Sequence, residues 1–201
     1  MPIRAVVFDI GGVLEDTPAI GVTEKWEATL RLRPGELNER LGGVWKAGAI
    51  GAVSEAEVRD SIARILRLDD ARVNAFLADI WTEYLGALNA ELAGYFGGLR
   101  PRYRTALLSN SFVGAREREQ ERYGFGDITD LIVYSHEVGM SKPDLRIYHL
   151  TCDRLGVRPE QMIFLDDQAE FVKAALDAGI RAILFEDNDQ AIADIEAALH
   201  A

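Results

Sequence analysis

Five short runs of apolar and β-branched residues punctuate the chain: Ile3 to Phe8, Thr105 to Leu108, Leu131 to Tyr134, Met162 to Leu165 and Ala182 to Phe185. They lack the alternation of a half-buried strand, so they read as strands covered on both faces, in a parallel sheet flanked by helices. The segments between them carry helix signals. Ser141-Lys142-Pro143 opens one helix with Pro143 in its first turn, Ile147, Tyr148, Leu150 and Leu155 form its apolar side, and Gly156 stops it. Ala169 to Ala178 predicts another, closed by Gly179. Strand and helix in alternation predict an α/β fold with a Rossmann-like, doubly wound parallel sheet.

From about Asp16 to Leu85 the alternation stops. Helical patterns run over Thr23 to Leu32, Pro34 to Leu41, Ser54 to Leu66 and Asp70 to Leu85, with Ser54 and Glu57 spaced as a capping box. The expected organisation is an α/β core of residues 1–15 and 86–201 interrupted by a small α-helical insertion, 16–85. The glycine-rich stretch Leu41 to Gly51 reads first as turn chemistry between two of these helices, and second as a loop over a site.

The chain has 22 Lys and Arg against 33 Asp and Glu, a net charge of −11. That balance argues against holding nucleic acid or an anionic membrane surface, which require excess positive charge. An anionic ligand would need a local cation. One cysteine, Cys152, excludes an internal disulfide and a zinc-type Cys/His cluster, and no leader pattern follows Met1, so a reducing cytoplasm is the expected compartment.

In an open parallel sheet, ligands gather beyond the carboxyl ends of the strands. The residues there are Asp9, then Ser109-Asn110, then Ser135-His136-Glu137, then Asp166-Asp167, with Lys142 soon after the third run. One such residue alone would be read as a helix cap or turn. Together they are three carboxylates, which repel unless a cation shares the site, beside neutral donors and an ammonium group. Hard oxygen ligands of this kind suit Mg²⁺ and a substrate phosphate.

Phe8-Asp9-Ile10-Gly11-Gly12-Val13-Leu14, Leu107-Leu108-Ser109-Asn110, Gly139-Met140-Ser141-Lys142-Pro143-Asp144 and Phe164-Leu165-Asp166-Asp167 resemble, in order, the four motifs of the haloacid dehalogenase superfamily of hydrolases, and within it small bacterial sugar-phosphate phosphatases. The insertion is similar to that family's helical cap. The resemblance implies Asp9 as the nucleophile, Ser109 and Asn110 as phosphate-binding groups, and Lys142 as the cation steadying Asp9 and the phosphate. It implies Mg²⁺ held by Asp9, the Gly11 carbonyl and Asp167, with Asp166 as a further ligand or supporting acceptor. The expected substrate is a small phosphorylated metabolite. Most phosphatases of the family carry an acid two residues after the nucleophile, where this chain has Gly11. Glu15 and Asp16, at the hinge of the insertion, read first as solvated acids and second as a substitute acid, and without a substitute the chain is expected to favour phosphates with stabilised leaving groups. A catalytically weak binding protein and a 2-haloacid dehalogenase are the alternatives.

Other signals are structural readings. His136 is expected as a hydrogen-bonded scaffold residue. Arg116 to Arg122 reads as a solvated helix face with internal ion pairs, and Trp26, Trp45 and Trp81 read first as part of the insertion's core. Trp45 and Lys46 are the insertion residues expected nearest the ligand.

Overall fold

The computed structural model describes residues 1–200, so Ala201, the last residue of the expected core segment, lies outside it. The chain runs β1 (Ala5–Phe8), β2 (Glu15–Asp16), α1 (Val22–Leu30), α2 (Glu36–Ala49), α3 (Glu55–Leu66), α4 (Asp70–Leu85), β3 (Ala87–Leu88), α5 (Ala90–Gly98) and β4 (Arg104–Ser109). It continues with α6 (Ala115–Tyr123), α7 (Phe125–Ile128), β5 (Leu131–Tyr134), α8 (Ser135–Val138), α9 (Leu145–Leu155), β6 (Met162–Asp166), α10 (Ala169–Asp177), β7 (Arg181–Leu184) and α11 (Asn188–His200).

All five expected strands form one sheet in the order β5-β4-β1-β6-β7, and every pairing is parallel. Successive strand residues point to opposite faces, and both faces are covered. Val6, Phe8, Leu107, Ile163 and Leu165 pack toward α5 and α11, whereas Ala5, Val7, Leu108, Met162 and Phe164 pack toward α9 and α10. That is why these runs are apolar throughout. β1 lies at the centre, and the chain leaves it to fill first one side and then the other, so its carboxyl end is a topological switch point.

Residues Glu15–Asp16 and Ala87–Leu88 form a two-stranded antiparallel ribbon, and the chain between them is helical. These helices share their own buried cluster, including Trp26, Leu37, Leu41, Val58, Ile62 and Phe76. Ser54 accepts from the Glu57 N–H and Glu57 reaches back to Ser54, completing the expected capping box.

Three local expectations are corrected. The glycine-rich stretch is mostly helix: α2 continues through Gly42 and Gly43 to Ala49, because Leu41, Val44 and Trp45 pack into the helical cluster and outweigh the glycines' poor propensity. α9 begins at Leu145 with Asp144 as its cap, leaving Pro143 ahead of the helix. The charges of α6 pair outside their own helix, Arg116 with Glu137 and Arg118 with Glu55, and Glu119 is buried. Among the described residues, no helix is long and apolar enough to cross a membrane.

Candidate active site

The register of the sheet builds the centre of the site. Phe8 lies beside Leu165, so the next residues, Asp9 and Asp166, emerge side by side at the carboxyl edge. Neighbouring strands are about 4.8 Å apart, close enough for two carboxylates to repel strongly when dry. Lys142 sits between them: its Nζ is 2.8 Å from Asp9 Oδ1 and 2.6 Å from Asp166 Oδ2, and its side chain is fully buried. The rings of Phe164 and Phe171 flank the ammonium at 5.4 and 5.0 Å.

Asp9 Oδ1 also accepts the Ile10 N–H at 2.8 Å, and no hydrogen-bond partner of Oδ2 occurs among the described residues. Both oxygens of Asp166 are engaged, since Oδ2 meets Lys142 and Oδ1 accepts the Gln168 N–H at 2.8 Å. Burial raises the pKa of Asp9 against the opposing pull of Lys142. Burial, then the charge of Asp9, pushes Asp166 up to about 7.

Asp167 is half-buried, and oxygens of Asp9, Asp166 and Asp167 all lie within 4.8 Å of one another. Gly12 makes that convergence possible. It has φ +78°, and a Cβ there would stand 2.5 Å from Asp167 Oδ2. At Gly11, by contrast, a Cβ would meet nothing within 4 Å. The open space falls at the position where the resemblance expects an acid.

Ser109 ends β4 on the other side of β1 and is buried. The Asn110 side chain is committed to Lys142: Nδ2 donates to the Lys142 carbonyl at 2.9 Å, and Oδ1 accepts its N–H at 2.8 Å. Asn110 thus positions the lysine, and its backbone N–H is the group left for an anion. His136 is a scaffold residue as expected, with Nδ1 2.7 Å from Ser111 Oγ.

Glu15 and Asp16 separate. Asp16 is exposed in the ribbon, whereas Glu15 is buried, its pKa pushed up to about 9 by burial, then by Glu119, with a smaller effect of Asp9. Glu119 bonds the Tyr134 hydroxyl and is pushed up to about 7, mainly by burial. One oxygen of each, Glu15 Oε1 and Glu119 Oε1, is buried without a hydrogen-bond partner among the described residues. This acidic pair was invisible in the sequence, because Glu119 lies in a run of charged residues that looks solvated.

Beside Asn110 and Ser111 opens a cavity of about 310 Å³ between the helical insertion and the loop after β4. Trp45 and Trp81 line it and Lys46 does not. Phe112, also in its wall, was missed by the sequence reading, although an aromatic residue directly after Ser109-Asn110-Ser111 was a usable signal.

A family model for hydrolases described as haloacid dehalogenase-like matches residues 3–179. The chain is 29% identical to a phosphatase of Mycobacterium tuberculosis over 94% of this chain and 90% of that protein. It is 29% identical to bifunctional epoxide hydrolase 2 of Sus scrofa over 98% of this chain, and spans only 39% of that relative's length. A solved HAD family enzyme of Bacteroides thetaiotaomicron, in complex with magnesium and inorganic phosphate, has the same fold, with TM-score 0.79 and 23% identity over 94% of this chain and 98% of that one.

Proposed function

The chain belongs to the haloacid dehalogenase-like hydrolase family, and from that premise we propose that it is a Mg²⁺-dependent phosphomonoesterase acting on a small phosphorylated metabolite through an aspartyl-phosphate intermediate. The observation that carries this reading is the buried Lys142 ammonium bridging Asp9 and Asp166, with a second oxygen of Asp9 unengaged. The similarity to a phosphatase supports it.

Asp9 attacks phosphorus, the bond from phosphorus to the leaving oxygen breaks, and the electron pair departs with that oxygen, which takes a proton from water. Water then attacks the acyl phosphate and returns Asp9 as a carboxylate. Dividing one displacement into two lowers the barrier of each. The Ser109 hydroxyl and the Asn110 N–H hold phosphoryl oxygens, and Lys142 opposes the burial that disfavours the charged form of Asp9. The cluster of carboxylate oxygens fits a hard divalent cation. Asp9, Asp167 and the Gly11 carbonyl would hold Mg²⁺, with Asp166 supporting Lys142, and the ion would supply charge neutralisation at the phosphate. Residues 16–85 act as a cap on a core of residues 1–15 and 86–200.

The open position at Gly11 favours a second reading, a weakly catalytic protein that holds a phosphorylated ligand. Phosphate release from p-nitrophenyl phosphate and a sugar-phosphate panel, with and without Mg²⁺, separates the two when Asp9→Asn is run in parallel. Turnover that requires both Mg²⁺ and Asp9 supports the phosphatase. Turnover that survives Asp9→Asn, or none on any substrate, overturns it.

A further inference from the structure

The cavity beside Asn110 differs in chemistry from what a sugar would need. Its wall is built from Trp45, Trp81 and Phe112 with the aliphatic side chains of Leu37, Val58 and Leu77. The aromatic wall is assembled deliberately: Phe112 meets Trp45 and Trp81 edge-on, with ring centroids 5.7 and 6.4 Å apart. Gly48 of α2 makes this possible, since a Cβ there would stand 2.2 Å from the Phe112 ring. Of the polar lining residues, Asn38, Glu55 and Asn110 lie at exposed positions and Glu55 is paired with Arg118, while the more buried Ser111 and Tyr84 hydroxyls are engaged by His136 and Glu119, and Thr23 is half-buried.

From this lining, and resting on the phosphatase reading, we infer that the substrate is the phosphomonoester of an apolar ring-bearing alcohol or phenol, whose phosphate lies at Asp9 and whose ring fills the cavity. Asn110 and Ser111 line the cavity and directly follow Ser109, which ends β4, so the cavity lies at the same strand end as the phosphate-binding residues. A cavity of about 150 Å³ accommodates benzene, so 310 Å³ takes a one- or two-ring group. A polyol in the same place would bury hydroxyls against indole and phenyl faces without partners. Gly11 independently favours the phenol esters within this class, because a phenolate leaves without the protonation that an alkoxide requires. Phe112, Trp45 and Trp81 are accordingly specificity residues.

The test is a substrate pair matched in leaving oxygen, cyclohexylmethyl phosphate against glucose 6-phosphate, together with 1-naphthyl phosphate and the small acyl phosphate acetyl phosphate. The wild-type chain should prefer cyclohexylmethyl phosphate by about a hundredfold or more in kcat/KM, the discrimination that buried unpaired hydroxyls give. Phe112→Ser and Leu77→Asn should each lower the ratio of 1-naphthyl to acetyl phosphate turnover about tenfold. Equal or better use of glucose 6-phosphate, while acetyl phosphate is hydrolysed in an Asp9-dependent way, overturns the cavity assignment and leaves the phosphatase standing. No Asp9-dependent turnover of any of the four overturns both.

Discussion

Asn110 grips the backbone of Lys142 from both sides, accepting its N–H at 2.8 Å and donating to its carbonyl at 2.9 Å. The two residues come from different strand ends, so this amide fixes where the ammonium reaches Asp9. Asn110→Asp keeps the acceptor and replaces the donor with a second acceptor facing the carbonyl. The expected outcome is a loss of about 1–3 kcal/mol in unfolding free energy with a fall in kcat, measured by denaturant titration and phosphate release.

Lys142→Met removes the only side-chain cation bonded to Asp9 and Asp166 among the described residues. Two buried carboxylates are then left against each other, at a cost of about 3–5 kcal/mol. The variant should be inactive and should melt well below wild type at pH 7. Acidification toward pH 5 should recover part of that deficit, because either carboxyl can take up a proton, and added Mg²⁺ should recover part of it at constant pH. Scanning calorimetry across pH with and without the ion checks both.

The Glu15 carboxyl gives a signed pH dependence. Its folded value of about 9 lies above the ordinary 4.5, so the folded chain binds this proton more tightly than the unfolded chain. The associated stability is fully present below the ordinary value and is lost progressively as pH rises toward 9. Glu119, at about 7, adds loss in the lower part of that range. Glu15→Gln should flatten the fall in melting temperature between pH 5 and 9 and should melt above wild type at pH 9, by about 2–4 °C for each kcal/mol relieved.

Gly11→Asp tests the missing acid directly. Nothing lies within 4 Å of the added Cβ, so the first atom of the new side chain enters without a clash. Turnover of alkyl phosphates should rise toward the factor of about 10² to 10⁴ that a positioned acid supplies, while aryl phosphates change little. Unchanged alkyl turnover would mean that a proton already arrives by another route.

Much of this was legible because of periodicity and order. The five strands and the capping box came from patterns that local physics enforces, and Asp9, Ser109, Lys142, Asp166 and Asp167 were readable because strand ends converge in a doubly wound sheet. What escaped was decided by tertiary contact. Helix α2 crosses two adjacent glycines because its far end packs on Phe112, and Glu119 is buried because Tyr134 from another element receives it. Neither partner is near in sequence. The division of labour between Asp166, held by Lys142, and the less engaged Asp167 likewise depends on register rather than composition.

The short ribbon pairing Glu15 with Leu88 and Asp16 with Ala87 has an evolutionary consequence. The long insertion leaves and re-enters the sheet domain at adjacent points, so it behaves as an interchangeable cassette. Doubling the length of such an excursion adds only about 0.6 kcal/mol of closure entropy. A lineage can therefore lengthen, shorten or rebuild the walls that select a substrate while Asp9 and Lys142 stay in register, and new specificities can arise without reinventing the chemistry.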